Sequence, residues 1–494
     1  MVNLLSVTVS LLLGYSTAVA AFNALPGSSS GDAVDARPPR PKARIPPPLS
    51  VGDYALQKDL YDAEDIFGYY SYPPDAKTNS RINMNRCEWM AKLPDDAPIH
   101  QLNIPGTHAS ATWNFDNDTR FASPYHSGKA NNVKDDASHY QCQTASIIDS
   151  LNAGIRFFDL SFGVDITGKK KLVFWHGKAL LSETATVESV MFGFYAWLQQ
   201  HGSEVVFVSL RYEHSHEASL ILPQSEIDQL IYNLITSRPA RRYIHQSKTL
   251  PYYLGDCRGK IILLRRFDLL HVTTHSHLPG IHLSPHHYPP NPNSKESFSI
   301  TYGSRYDKQQ LHISDWHDLS SLRGSFPNDY IEQKLLVVEE HLRKAAEGVV
   351  GEGYNGDYSY KYKSAAVKKG KREVGVGLGW YGREVVRSDG ELWVTFASGE
   401  DSGNELVVTP EVLALGSEDT EDGEGDRRGV NKGLCKILRR LRGRRLGIIV
   451  VDFWKGEHGD LVGAILGDWG GVYGRYGGRG EEGGSIVDVG GEGG

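Results

Sequence analysis

Two histidines stand at matching places in this chain. In Leu102-Asn103-Ile104-Pro105-Gly106-Thr107-His108-Ala109-Ser110 and again in Phe174-Trp175-His176-Gly177, a β-prone run ends in histidine. Imidazole titrates near neutrality, so two on one rim can serve a reaction in which one group accepts a proton while another donates one. Taken singly, each is more often a structural hydrogen-bonding residue than a catalyst; it is the pair that points to chemistry. Between them, Gly154-Ile155-Arg156-Phe157-Phe158-Asp159-Leu160 carries an arginine and an aspartate on another β-prone run. Other chemistry finds less support. Cys87, Cys142, Cys257 and Cys435 include no close CxxC pair of the kind zinc sites use, and would rather form two disulfides, with three pairings open. The His/Pro-rich stretch from His271 to Pro292, with His275, His277, His286 and His287, reads as a solvated loop in preference to a metal site, because no ligand spacing recurs.

Such histidines need a frame that brings strand ends together. Eight candidate strands occur: Gln101–Ile104, Ile155–Leu160, Leu172–Trp175, Val205–Leu210, Lys260–Arg265, His312–Ser314, Leu392–Phe396 and Ile448–Val451. Helical patterns with apolar residues three and four apart alternate with them, at Val187–Gln200, Ser225–Thr236 and Tyr330–Ala346. Eight strands alternating with helices predict an α/β fold, a distorted (β/α)8 TIM-type barrel, as one elaborated domain over residues 87–470. Barrel enzymes hold their catalytic groups at the C-terminal ends of the strands, where both histidines fall.

The remainder of the 494 residues frames this barrel. Residues 1–20 form an apolar run ending in Ala18-Val19-Ala20, which predicts a secretory signal and an extracellular location; the alternative is an N-terminal anchor. The sequon Asn117-Asp118-Thr119 is compatible with that route. Residues 21–86 read as a linker and N-terminal extension, Pro/Arg-rich to Pro48, and both the acidic Ser417–Arg428 insertion and the glycine-dominated tail, residues 471–494, are expected to be disordered. A formal net charge of −7 gives no electrostatic support to nucleic-acid binding.

The ordered motifs CEWM, IPGTHAS, GIRFFDL, WHG, VVFVSLRYE and RGKIILLRRF, from Cys87 to Phe267, resemble the X region of phosphatidylinositol-specific phospholipase C; SDWH, VTFAS and GIIVVDFW extend the likeness to about Trp454. The resemblance implies a barrel that cleaves inositol phospholipids or related inositol phosphodiesters at a membrane surface, the inositol 2-hydroxyl attacking phosphorus to give a cyclic phosphodiester. By resemblance, His108 is the general base, His176 the general acid and Asp452 the carboxylate orienting His108. Arg258, Asp315 and His317 resemble inositol-contacting positions. Calcium-dependent members gather carboxylates where this chain has Ala109, Asp159, Ser161 and Arg211, so one carboxylate remains, too few for an ion that takes six to eight oxygens. Arg211 resembles the metal-independent bacterial branch, and no metal or other cofactor is expected.

That branch also has an aspartate at the position of Ala109 and an arginine at the position of Ser161. Arg156 is no substitute, because five residues along a strand place it on the opposite face from Ser161. The expectation is therefore a secreted phosphodiesterase, with a catalytically impaired phosphoinositide- or glycan-binding barrel as the alternative. Barrels of the glycerophosphodiester or sphingomyelinase D kind also pair histidines, but they add magnesium-binding carboxylates that this chain lacks.

Overall fold

Val205–Val208 and Ile448–Val451 are unbroken apolar runs, which suits strands buried on both faces in a parallel sheet. The computed structural model describes residues 53–70, 84–117, 136–165, 169–213, 222–272, 278–289, 294–304, 307–322, 326–347, 391–401, 408–417, 429–456 and 459–467. The leader, the Pro/Arg-rich stretch, Asp118 and Thr119 of the sequon, His275, His277, most of the acidic insertion and the Gly-rich tail lie outside the described residues. Among the described residues, no helix is long and apolar enough to cross a membrane.

Eleven strands form one sheet: β1 (Ile104–Thr107), β2 (Phe157–Val164), β3 (Leu172–His176), β4 (Ala179–Leu180), β5 (Val205–Tyr212), β6 (Lys260–Arg266), β7 (Ile281–His282), β8 (Phe298–Ser304), β9 (Asp307–Ser314), β10 (Leu392–Phe396) and β11 (Ile448–Val451). Its order is β7-β6-β5-β2-β1-β11-β10-β9-β8, parallel throughout except that β8 runs antiparallel to β9. Among the described residues no ladder joins β7 to β8, so the sheet is a nearly closed TIM-like barrel with an open seam there.

Two expectations about strands are corrected. The first strand begins at Ile104, because Ile99–Gln101 forms a 3-10 turn. The third is not a stave: β3 runs antiparallel to β2 and turns back through β4, while the two-residue β7 joins the parallel set. Glycine permits a close approach inside the barrel, since a Cβ on Gly106 would lie 2.9 Å from Phe157 Cβ. Outside the sheet, Val187–Gln200 is a helix closed at its start by reciprocal Thr186 and Ser189 hydrogen bonds, and helices at Gln224–Thr236 and Pro327–Glu347 extend the expected spans slightly.

Arg156 confirms the alternation argument. Its guanidinium is buried against Glu204 Oε2, at 3.1 Å from Nε and 2.8 Å from NH2, and lies over the Trp197 ring. The expected disulfides are not formed: all four cysteines are buried free thiols.

Candidate active site

Strand register builds the first part of the site. Thr107 pairs with Val451 across the β1–β11 ladder, so His108 and Asp452 leave adjacent strand ends side by side. His108 Nδ1 lies 3.0 Å from Asp452 Oδ1, and the histidine retains 20% side-chain exposure against 1% for the aspartate. The next residue in each strand has a positive φ, 40° at Ala109 and 44° at Phe453, a conformation that costs non-glycine residues energy and persists where neighbours enforce it. Side-chain amides do the enforcing. Gln143 Nε2 donates to the carbonyls of His108 and Val451, both at 2.9 Å, and Asn431 Nδ2 donates to those of Asp452 and Phe453 at 2.9 and 3.2 Å.

His176 arrives differently, at the end of the β3 hairpin. Its ring centroid is 5.9 Å from that of His108, the planes at 79°. Its Nδ1 is 2.8 Å from the Tyr140 carbonyl, which can only accept, so Nδ1 carries hydrogen and Nε2 is the titrating nitrogen. Burial, then the neighbouring His108, pushes the His176 pKa down to about 3. Burial also opposes charge on His108, but Asp452 outweighs it and raises the His108 pKa. The folded site therefore keeps its proton on His108. The acid role implied for His176 requires the opposite arrangement, and Ala109 supplies no carboxylate to bring it about.

The anion-facing part centres on Arg266, which the sequence reading did not single out. Arg266 NH1 lies 3.2 Å from Asp159 Oδ1, its NH2 is 3.9 Å from Asp315 Oδ2, and its guanidinium lies 4.7 Å from the Tyr288 ring centroid. Asp159 also accepts from Ser209 Oγ at 2.7 Å. Burial works to raise the Asp315 carboxyl, but His317, with its Nδ1 3.5 Å away, and Arg266 hold it well below the ordinary range. Arg211 stands opposite Ser161 in the β2–β5 register and opposite Arg266 in the β5–β6 register. It pairs with Glu213 at 2.5 Å and is 41% exposed, a rim cation instead of a buried one. Beside His317, burial raises Glu400 to about 7, against the attraction of His108.

His108, His176, Asp452, Asp159, Asp315, His317 and Arg211 thus gather at one rim, and Arg258 does not. Arg258 precedes β6, at the barrel's other end, where Nε meets Asp95 at 2.7 Å and the remaining nitrogens donate to the carbonyls of Met90, Ser203 and Leu93. It clamps the segment leading into the barrel, and the expectation that it contacts inositol is withdrawn. The His/Pro-rich segment contributes Tyr288 to the site. Three of its described histidines turn to two carboxylates, His271 to Asp228 and both His282 and His286 to Asp268.

The barrel thus carries a His–Asp pair, a second histidine and a buried arginine at its C-terminal rim. Comparison with known proteins agrees with the motif resemblance. No family model matches the chain. A 1-phosphatidylinositol phosphodiesterase of Listeria monocytogenes is 26% identical over 207 residues, 40% of this chain and 57% of that protein. PI-PLC X domain-containing protein 1 of Mus musculus is 25% identical over 228 residues, 38% of this chain and 64% of its own length. The chain thus spans roughly three fifths of these relatives. Among solved structures, a double mutant of the phosphatidylinositol-specific phospholipase C from S. aureus shares the fold, with a TM-score of 0.50 at 14% identity over 78% of this chain and 97% of that one.

Proposed function

We propose that the protein is a secreted, metal-independent phosphodiesterase that cleaves phosphatidylinositol or a related inositol phosphodiester through a cyclic phosphodiester. The observation that carries this reading is the oriented His108–Asp452 pair with His176 at a centroid distance of 5.9 Å. With Nδ1–H directed at Asp452, neutral His108 offers Nε2 to take the proton of the inositol 2-hydroxyl. The hydroxyl oxygen bonds to phosphorus, the bond to the glycerol oxygen breaks, and His176 Nε2 delivers a proton to that leaving oxygen. Tethering makes the attack intramolecular, so the protein's task is proton transfer and stabilisation of phosphate charge. Arg266 and Arg211 provide nearby positive charge, and the phosphodiester's own negative charge favours protonation of His176. A guanidinium already occupies Asp159, the remaining carboxylate of the calcium-type set, which supports metal-independent chemistry.

A second reading rests on the surroundings of His176, which is half-buried 5.9 Å from the His108 ring with alanine, not aspartate, at position 109. In it the barrel binds an inositol phosphodiester and turns over little. Phosphorus NMR of phosphatidylinositol vesicles incubated with the protein tests the two: a cyclic inositol phosphate signal supports the enzyme, whereas headgroup binding without product supports the binding protein. Secretion is tested separately by sequencing the N-terminus of expressed protein, where cleavage after Ala20 is expected.

A further inference from the structure

Behind the His108–Asp452 pair lies a residue that the proposed chemistry does not use. Cys142 is fully buried and in no disulfide, its thiol facing the Tyr140 carbonyl at 3.8 Å, and its Sγ, a His108 ring nitrogen and an Asp452 carboxylate oxygen all lie within 4.8 Å of one another. A second feature marks the same place. Asp452 Oδ2 is buried without a hydrogen-bond partner of normal geometry, the Gly399 N–H and the Cys142 thiol being the groups that approach the carboxylate. The chain itself ties these groups together, because Phe453 N–H donates to the Cys142 carbonyl at 2.9 Å. Sulfur, nitrogen and oxygen donors in one dry cluster are the set that a borderline-soft divalent cation takes, and magnesium and calcium do not.

We propose that His108 Nδ1, Cys142 Sγ and Asp452 form an inhibitory binding site for Zn²⁺-class cations. Tetrahedral zinc with bonds of about 2.0 to 2.3 Å needs donors roughly 3.6 Å apart, so closing a cluster whose donors lie within 4.8 Å takes shifts of no more than about 1 Å. Water fills the fourth position. On binding, Cys142 releases its thiol proton, and Nδ1 of neutral His108 gives up its hydrogen while Nε2 gains one. One proton leaves in total. The consequence for chemistry is direct: ligation at Nδ1 imposes the tautomer with hydrogen on Nε2, and that nitrogen then has no lone pair with which to accept a proton from substrate. Zinc thus switches off the base without occupying the substrate's place.

Cobalt(II) serves as the spectroscopic probe, because a thiolate ligand gives it an intense near-ultraviolet charge-transfer band independent of any activity. The expected result is a saturable band in the wild-type protein that is lost in Cys142→Ser and Cys142→Ala, with Cys87, Cys257 and Cys435 still present. Competition against a chromogenic chelator should show Zn²⁺ affinity falling at least about tenfold in both variants. Where turnover is measurable, Zn²⁺ should inhibit the wild type reversibly to EDTA, and Cys142→Ser, folded by circular dichroism, should keep its basal rate while resisting inhibition. A wild type that gives no band with excess Co²⁺, or variants that give the same band, would overturn the site whether or not the protein is an enzyme.

Discussion

His176 lacks the carboxylate that would keep a proton on it, and the site's pH behaviour follows from that. Above the raised pKa of His108 the pair holds no proton, and below about 3 at His176 it holds two, so the singly protonated pair spans the interval between. We expect a broad bell in kcat/KM, with its alkaline limb above pH 6.5 and its acid limb well below. A narrow optimum with both limbs near 6.5 would contradict these environments. Ala109→Asp should place a carboxylate beside the pair and raise the His176 pKa, read by NMR titration of the imidazole, and turnover should rise with it. Aspartate also tolerates the positive φ at position 109 better than alanine does. His108→Ala and His176→Ala should each lower turnover by about 10² to 10⁴-fold in folded protein; near-normal rates in either would remove it from the mechanism.

At the scale of elements, the staves were legible because strands buried on both faces are written as short, mostly apolar runs rich in Val, Ile, Leu and Phe. β5, β6, β10 and β11 were found for that reason. Direction was not legible: Leu172–Trp175 is an apolar run like that of a stave, and nothing in that pattern says that it runs antiparallel to β2 as a hairpin. β7 has two residues and β8 is largely solvent-facing, so neither carries enough apolar signal. The site residues split along the same line. His108 and His176 end strands and could be placed, whereas Arg265 and Arg266 are adjacent and only the register decides which one meets Asp159. Arg258 was misread because it sits within a diagnostic motif yet before its strand, at the wrong end of the barrel. β1 also offers a test of packing. Gly106→Ala would set a methyl 2.9 Å from Phe157 Cβ, and we expect a loss of about 1 to 3 kcal/mol in denaturant unfolding together with reduced turnover, since His108 is two residues away. Unchanged stability would show that β1 and β2 separate easily.

For the whole molecule, buried histidines set the acid limit. Burial is the leading cause that lowers His176 and His341 to about 3 and His201 to about 4. These groups are neutral when folded, whereas the unfolded chain binds protons below about pH 6.5, so their contribution is present above 6.5 and is lost as pH falls toward 4 and 3. Each contributes a slope of about 1.4 kcal/mol per pH unit in that window. Glu400, raised to about 7, opposes them between its ordinary value and 7. Urea midpoints should therefore fall as pH drops from 6.5 to 4, and a flat profile would refute the buried neutral state of these rings. EDTA should leave turnover undiminished in metal-free buffer, because Arg266 already neutralises Asp159. Loss of activity restored by calcium would reverse that reading.

The seam between β7 and β8 means that the strands are paired in a line and not in a ring. A line opens from its two ends, and β1 is the middle of the nine strands along it, with β11 next to it. Backbone amides of β7 and β8 should accordingly exchange with deuterium first and those of β1 and β11 among the last, as edge and centre of a cooperative unit do. His108 and Asp452 project from that slowly exchanging centre, while His176 hangs on a hairpin outside the line. Fluctuations confined to that hairpin would then move His176 while His108 and Asp452 stay in place.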